Sequence, residues 1–377
     1  MRILLCTPAP LTKSLGAAKV VVELAEEMRE MGWECDLVSI RDLADQSGLS
    51  MCKSLRGYLL EHAANYDVVD YDHEYLPYSR SEFSPQTLFV ARSVLLAHHL
   101  ETISIPTGRG VKAQLGVLLK GRSRAQARRE RVCRAQVTVE QADLVNVSND
   151  DDKVELVRRG VPAEKIVVVP YGISRARRSL FDQVPSAPPP SPIVAFVGTF
   201  DYRKGAREFP RIVRSVAAQV PNVRFRLLGT KGLFQTERDI RSLFSRDVES
   251  HLEVVMSYPP EQLPHLLASC SVGVFPSYME GMPFGVLEML AASVPVIAYD
   301  APGPSMMLRP DSLVPRGDAT ALAAHVFDLL KDSERLAAER AWAKQQSQQF
   351  TWAHAAEETN RLYKSLLSGR ISGAFSY

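Results

Sequence analysis

Two carboxylates, Glu280 and Glu288, flank a short loop of glycine and proline in the run PSYMEGMPFGVLE. The apolar run before the loop, residues 272–275, predicts a buried strand, and the run after it, residues 284–292, predicts a helix. A strand, a glycine loop and a helix in this order point backbone N–H groups and the positive helix end at the loop, which suits a phosphate. Because a phosphate repels a carboxylate, Glu288 needs another partner. The two hydroxyls of a vicinal diol such as a ribose would suit it.

The whole segment resembles the Glu-x7-Glu signature of the retaining glycosyltransferases of family 4, which have the GT-B fold. Pro276 and Ser277 before it and the apolar run 294–298 after it also match that family. Without these flanks, Glu288 would be read as a carboxylate in a first helical turn, stabilised by about 0.3–1 kcal/mol, and Glu280 as a loop residue. With them, the resemblance implies transfer of a sugar from a nucleotide-diphosphate donor to an acceptor hydroxyl, with retention at the anomeric carbon.

A second motif, FVGTFDYRKG at residues 196–205, places Lys204 just beyond a predicted strand, where a cation can neutralise a diphosphate. The family usually shows Gly-Arg-Leu here, then three residues and Lys-Gly. Lys204 matches the lysine, whereas Thr199 stands where the family has arginine. Either Arg203 supplies the missing cation or the diphosphate is bound less tightly. The alternative reading is a solvated turn with two surface cations.

The resemblance also implies roles for individual residues. Glu280 and Lys204 would act at the transferred sugar and the departing diphosphate, with His98 as the third predicted catalytic residue, and Glu288 would bind the ribose. The other implied donor-binding residues are Gly198, Thr199, Arg203, Gly229, Phe284, Gly285, Val286 and Leu287. No Asp-x-Asp lies near the donor segment, and a helix end with cations can replace a metal. We therefore expect neither a metal nor another cofactor.

Matches in the first half of the chain are weaker. Gly16 stands where the family has a glycine pair that meets phosphate or acceptor, although it is equally suited to a plain turn before a helix. The family's histidine follows a strand such as residues 87–91, and here Arg92 holds that place. His98 is the preferred candidate, with Arg92 as a cleft-facing partner. The histidines that compete for this role are His73, His98 and His99.

The organisation of the chain predicts two domains. Five prolines within residues 183–192 indicate a semi-rigid linker. Strands and helices alternate on both sides of it, which predicts the α/β class, as two doubly wound Rossmann-like domains facing each other across a cleft. Residues 1–182 would bind the acceptor and residues 193–350 the nucleotide sugar. Residues 351–377 would form a C-terminal helix that crosses back to the first domain.

Strand and helix positions follow from the apolar pattern. The predicted strands are residues 2–6, 35–40, 67–69, 87–91, 144–147, 166–169, 193–197, 223–228, 252–256, 272–275 and 295–298. The predicted helices with definite bounds are residues 17–31, 206–220, 260–269, 284–292, 333–347 and 352–367.

Composition narrows the class of protein. A length of 377 residues with 46% hydrophobic and 23% charged residues suits two globular domains. The 45 basic and 43 acidic residues leave a net charge of +2, which gives no general case for nucleic-acid binding. Five scattered cysteines indicate reduced thiols. The chain shows neither a signal peptide nor a membrane span of about 18 apolar residues, so we expect a cytoplasmic protein.

One basic stretch departs from this balance. From Lys120 to Arg134 the chain holds seven cations and one acid. A solvated helix face is the usual explanation, and peripheral contact with an anionic membrane, or with an anionic acceptor, is the alternative. The acceptor itself would be a glycan, a lipid-linked molecule or a small molecule.

Two rival functions remain compatible with the sequence. A nucleotide-sugar epimerase on the same scaffold would consume the donor without an acceptor. A non-catalytic nucleotide-sugar-binding subunit is suggested by Thr199 and by the histidine that has no clear position.

Overall fold

The structure is a computed structural model that describes residues 1–12, 16–106, 111–187, 189 and 191–371; the description does not include the side chains of residues 16–17, 111–124 and 370–371. The chain forms two compact units. The first comprises residues 1–102, 116–172 and 351–377, and the second comprises residues 103–115 and 173–350.

The first unit contains a parallel six-stranded sheet in the order β2-β1-β3-β4-β5-β6. Its strands are β1 (Arg2–Thr7), β2 (Glu34–Ser39), β3 (Val68–Asp72), β4 (Leu88–Arg92), β5 (Leu144–Val147) and β6 (Ile166–Val168). Ile3 of β1 lies opposite Cys35 on one side and Val68 on the other. Most strands are buried along nearly their whole length, which is why they appear in the sequence as apolar runs.

The second unit contains another parallel six-stranded sheet, in the order β12-β11-β10-β7-β8-β9. Its strands are β7 (Ile193–Val197), β8 (Arg224–Leu228), β9 (Leu252–Val255), β10 (Val272–Phe275), β11 (Val296–Tyr299) and β12 (Leu313–Val314). The chain order reverses between β7 and β10, which are neighbours in the sheet. Ligands of doubly wound sheets bind beyond the carboxyl ends of the strands at such a reversal.

Helices connect these strands. They are α1 (Gly16–Glu30), α2 (Ile40–Ser47), α3 (Met51–His62), α4 (His99–Thr102), α5 (Val111–Gln141), α6 (Asp150–Arg158), α7 (Arg175–Asp182), α8 (Phe209–Ala217), α9 (Glu237–Arg241), α10 (Leu263–Ala268), α11 (Phe284–Ala291), α12 (Ala319–Lys331), α13 (Ser333–Ser347) and α14 (Trp352–Ile371). Within the described residues, no helix is long and apolar enough to span a membrane.

Helix α14 belongs to the first unit although it comes last in the sequence. The indole N–H of Trp33 donates to Asn360 at 2.9 Å, and the Tyr363 hydroxyl donates to Asp70 at 2.6 Å. Tyr171 stacks on Trp352 with ring centroids 5.4 Å apart. Polar and aromatic contacts therefore fix this helix against the first sheet.

The predicted α/β class with two doubly wound sheets is confirmed. The predicted strands are all present with both ends within one or two residues, except that β3 ends three residues later than predicted. Strand β12 was not predicted, because two residues are too few to show a period. The predicted helix 206–220 is shorter, at Phe209–Ala217, since turns occupy residues 202–208. The predicted helix 260–269 begins with a 3-10 turn at Pro260–Gln262 before α10.

The proline-rich residues 183–192 lie within the range of the second unit. The guanidinium of Arg340 on α13 is fully buried and donates to the main-chain oxygens of Pro185 at 3.3 Å and Ser186 at 3.0 Å. It also donates to the carbonyl of Cys270 at 2.8 Å. The start of this segment is thereby tied to α13. Pro188 and Pro190 lie outside the described residues.

Candidate active site

The reversal between β7 and β10 brings together the two loops that carry the sequence motifs. One loop follows Val197 at the end of β7, and the other follows Phe275 at the end of β10. Gly205 has a φ of +80°, and a Cβ there would overlap the carbonyl oxygen of Pro276. A Cβ on Gly285 would likewise overlap the carbonyl oxygen of Val197. Glycine is therefore required at both points where the backbones meet.

Glu280 is the charged centre of this region. It is 7% exposed, and its Oε1 accepts hydrogen bonds from Arg203 Nη1 at 2.7 Å and Lys204 Nζ at 2.8 Å. The Ser277 hydroxyl donates to the same oxygen at 2.6 Å. Burial acts to raise the pKa of Glu280, but the charges of Arg203 and Lys204 and the hydrogen bonds lower it to about 2. The carboxylate is therefore ionised at neutral pH.

The loop after β7 is shaped by Asp201. Its carboxylate accepts from the Lys204 backbone N–H at 2.9 Å and from the Thr199 hydroxyl at 3.1 Å. The ammonium of Lys204 lies 5.1 Å from the ring centroid of Phe275, a cation–π distance. A Cβ on Gly198, whose φ is +143°, would meet the Lys204 side chain at 3.4 Å. Lys204 therefore runs close along the loop toward Glu280.

Arg203 forms hydrogen bonds that link the loop after β7 to the loop after β10. Its guanidinium donates to Glu280 and to the carbonyl of Met279 at 2.8 Å, and its own carbonyl accepts from the Tyr278 N–H at 2.8 Å. Burial acts to lower the pKa of Arg203, while Glu280 raises it above its usual range. Arg203 therefore ties the two loops together, and its expected place beside a diphosphate stays a prediction.

Glu288 lies on α11 and is 8% exposed. Its Oε1 accepts from Arg177 Nη2 of α7 at 2.8 Å. Burial, followed by the negative charge of Glu288, raises the pKa of Tyr258, which follows β9. A Cβ on Gly229, whose φ is +72°, would lie 3.3 Å from the Tyr258 hydroxyl. Arg177 therefore lies beside Glu288, and Tyr258 lies beside Gly229 and close to Glu288.

Sequence reasoning missed both of these companions. The position of Tyr258 just after β9 was a usable signal, since ligands bind beyond strand ends. No motif marked Arg177, which is 111 residues from Glu288 in the chain.

Fewer N–H groups in the first turn of α11 are available to a ligand than the sequence predicted. The N–H groups of Val286 and Leu287 donate to the carbonyl of Pro283 at 2.9 and 3.1 Å. Both side chains are fully buried, whereas Phe284 and Gly285 are partly exposed. The expected free N–H group of Val286 is thus used inside the helix itself.

The predicted cleft residue Arg92 is inside the first unit instead. It is 3% exposed, and its guanidinium donates to Asp70 at 2.6–3.0 Å and to the Tyr363 hydroxyl at 3.2 Å. A guanidinium held by a buried carboxylate stabilises the fold around it and is not turned toward a ligand. Gly16 begins α1, but its surroundings lie outside the described residues.

The three candidate histidines are all buried. Burial lowers the pKa of His98 to about 3, and its Nε2 lies 3.1 Å from Gln136 Oε1. Burial also lowers the pKa of His73 to about 4, and its Nε2 accepts from the Ala97 N–H at 3.2 Å. His99 Nε2 lies 2.8 Å from Asp152. His98 is thus a buried neutral residue in this structure.

The region of His73 also contains a described group of side chains with the spacing of metal ligands. Ligand atoms of Asp72, His73 and Glu74 lie within 4.8 Å of one another. Glu74, however, already accepts from Arg131 at 2.5 and 2.6 Å, and Arg134 donates to its carbonyl at 2.8 Å. Two guanidinium groups beside the carboxylate oppose the binding of a cation.

These arginines also belong to the basic stretch from Lys120 to Arg134. Arg131 and Arg134 are committed to Glu74, whereas Arg128 and Arg129 are exposed on α5. The side chains of residues 120–124 lie outside the described residues.

Sequence comparisons relate the chain to enzymes that act on sugars. The family model described as "Glycosyl transferases group 1" matches residues 178–348. The chain is 24% identical over 245 residues to O-antigen chain mannosyltransferase B of Escherichia coli, covering 61% of this chain and 62% of the relative. It is 26% identical over 262 residues to D-inositol 3-phosphate glycosyltransferase of Corynebacterium aurimucosum, covering 64% and 61%. The chain thus spans about three fifths of the length of these curated relatives.

Solved structures resemble the chain over nearly its whole length. Sucrose-phosphate synthase from Thermosynechococcus elongatus superposes with a TM-score of 0.71 at 19% identity, covering 98% of this chain and 99% of the other. HepE of Anabaena in complex with UDP-glucose superposes with a TM-score of 0.66 at 17% identity, covering 97% and 100%. At such identities the likeness shows the fold. The protein therefore has the GT-B fold, and its residues 178–348 match the sequence of the group 1 glycosyl transferases.

Proposed function

We propose that this protein is a retaining glycosyltransferase of family 4, which moves a sugar from a nucleotide-diphosphate donor to an acceptor hydroxyl. The observation that carries the proposal is the ionised Glu280, held by Arg203, Lys204 and Ser277 where the second sheet reverses its strand order. The Glu-x7-Glu spacing and the group 1 match over residues 178–348 support the same activity.

Charge compensation is the main task that we assign to this site. In the transfer, the bond between the anomeric carbon and the diphosphate oxygen breaks, a bond to the acceptor oxygen forms, and the acceptor hydroxyl gives up its proton to the departing diphosphate or to water. Negative charge then builds up on the departing diphosphate, and a cation that is already in place lowers the barrier. Lys204 suits this task because its ammonium is fixed by Glu280 and Phe275 before any donor arrives. We name no protein nucleophile.

We assign the two carboxylates to different parts of the donor. Glu280 would accept hydrogen bonds from hydroxyls of the transferred sugar, close to Lys204. Glu288 would accept from the ribose hydroxyls, beside Gly229 and Tyr258. Charge-assisted hydrogen bonds of this kind are stronger than neutral ones.

We propose that the donor site works without a metal ion. Its two carboxylates, Glu280 and Glu288, are each paired with basic side chains in the structure. Lys204 and the start of α11 would supply the positive charge that a divalent cation supplies elsewhere.

The nature of donor and acceptor is also a proposal. UDP is the first nucleotide to test, because a solved structure of the same fold, HepE, was obtained with UDP-glucose. The named relatives suggest a glycan or an inositol phosphate as acceptor classes to test first. An acceptor linked to a lipid is the third class.

The direct test is turnover with a panel of UDP-, GDP- and ADP-sugars in the presence and absence of acceptors. We expect nucleotide release that depends on an acceptor, with the anomeric configuration of the donor retained in the product by NMR. Conversion of the donor into its epimer would favour the epimerase. Donor binding without any nucleotide release under all conditions would favour the non-catalytic subunit.

Glu288 provides a second test. Glu288→Gln keeps the size of the side chain but removes its charge, so donor affinity by calorimetry should fall roughly tenfold to a hundredfold, about 1.5–3 kcal/mol. Glu253→Gln is the matched control, because Glu253 also pairs with an arginine of this unit, Arg226, at 2.9 Å. It should leave donor affinity unchanged. Equal affinities for wild type and a folded Glu288→Gln protein would remove the ribose assignment.

A further inference from the structure

The ion pair between Arg177 and Glu288 joins two elements that the motifs do not connect. Arg177 lies on α7, and Glu288 lies on α11. The side chains are 17% and 11% exposed, and Nη2 lies 2.8 Å from Oε1. A pair this well shielded from solvent fixes both partners more firmly than a surface pair.

The hydrogen bond from Arg177 restricts the orientation of the Glu288 carboxylate. Arg177 donates to Oε1 at 2.8 Å, which fixes the position of that oxygen. Tyr258 stands near the same carboxylate and against Gly229. Without Arg177, a carboxylate that is only 8% exposed would lose this charge-assisted hydrogen bond and would be able to turn to another rotamer.

The charged neighbours on other elements have other partners. Lys204 and Arg203 bind Glu280. On α13, Lys344 donates to the carbonyl of Ala291 at the far end of α11, and Arg340 donates to the carbonyl of Cys270. Arg177 forms an ion pair with Glu288 at 2.8 Å.

We propose that Arg177 is a positioning residue for ribose recognition: it orients the Glu288 carboxylate so that the carboxylate can accept from the ribose hydroxyls. Arg177 acts through Glu288 and does not itself contact the transferred sugar. This inference rests on the proposed function, since it presumes that a nucleotide ribose meets Glu288.

The experiment compares UDP with 2′-deoxy-UDP as calorimetric probes, or the corresponding GDP or ADP pair if UDP does not bind. The ratio of their dissociation constants reports the contact of the carboxylate with the 2′-hydroxyl. Wild type should prefer the ribonucleotide by about tenfold or more. Arg177→Met and Glu288→Gln should each reduce this preference to less than about threefold. Arg177→Lys, which keeps the charge, should restore most of it.

Arg175→Met is the matched control, because Arg175 is exposed on the same helix. It should keep the preference of wild type. An Arg177→Met protein that binds both probes more weakly by the same factor, with the preference intact, would overturn the proposal, since that pattern indicates a structural role or a direct phosphate contact.

The outcomes separate this inference from the proposed function. If wild type binds none of the UDP, GDP and ADP probes, the proposed function fails and the inference falls with it. If wild type shows the preference and Glu288→Gln loses it while Arg177→Met keeps it, the function stands and the role of Arg177 is refuted. Should Arg177→Met not fold, Arg177→Gln, which retains part of the polar contact, is measured in its place with the same two outcomes.

Discussion

At the scale of single residues, Glu280 illustrates how a buried carboxylate can remain charged. Three donors converge on one of its oxygens, and two of them carry positive charge. The free energy gained from these contacts exceeds the cost of burial, as the lowered pKa indicates. The same contacts hold Lys204 where the proposed diphosphate would bind.

Glu280 should therefore make stability depend on pH. Its pKa is about 2 in the folded protein and about 4.3 in an unfolded chain. Its contribution, about 3 kcal/mol at most, is complete above pH 4.5 or so and is lost as the pH falls toward 2. Urea unfolding between neutral pH and pH 3.5 should show a steeper loss for wild type than for Glu280→Gln. Parallel losses in the two proteins would contradict the assigned pKa.

Some residues of this site could be predicted from the sequence and others could not, and the reason is physical. Glu280 and Lys204 each follow closely on a strand, and β7 and β10 are neighbours, so short loops bring the two residues together. Arg177 reaches Glu288 only through the packing of α7 on α11, which no local pattern encodes. Arg92 was placed wrongly because the sequence shows a charged strand end but not the buried Asp70 beside it.

At the scale of elements, strands were predictable because both faces of each sheet are covered, which produces runs of apolar residues. Helix bounds were less predictable where glycine and proline contacts govern the turn. Gly205, which precedes α8, packs against Pro276 of the other loop, and no local pattern in the sequence shows this contact.

Helix α14 should contribute measurably to the stability of the first unit. Tyr363→Phe removes a buried donor to Asp70 and an acceptor of Arg92. We expect a loss of roughly 1–3 kcal/mol in the free energy of unfolding, measured with urea. Tyr66→Phe is the matched control, since Tyr66 donates to Asp36 at 2.9 Å in an exposed position. A loss as small as in that control would show that the buried network is not stabilising.

Helix α5 carries the basic residues that suggested membrane contact. Because Arg131 and Arg134 bind Glu74, the exposed Arg128 and Arg129 are the described cations of the stretch that are best placed to meet anionic lipid. If the stretch contacts an anionic membrane, the protein should sediment with phosphatidylglycerol vesicles, and this binding should weaken with salt. Replacing both Arg128 and Arg129 by Gln should reduce it further. Equal recovery with phosphatidylcholine vesicles would identify a solvated helix face.

At the scale of the whole molecule, the proposed independence from metals can be tested on the intact protein. Turnover should persist when EDTA is present throughout, because Lys204 and the start of α11 supply the positive charge. Loss of activity that magnesium or manganese restores would refute this. Asp72→Asn would then show whether the group of Asp72, His73 and Glu74 holds the ion.

The position of α14 at the end of the sequence has a consequence for the order in which the two units are completed during synthesis. Translation completes the second unit once Phe350 has been added, but the first unit still lacks the helix that carries Asn360 and Tyr363. Until then, the Trp33 indole and the Asp70 carboxylate have no partner from that helix. Domains usually become complete in the order of synthesis. Here the half that leaves the ribosome first is finished last, when α14 has been added.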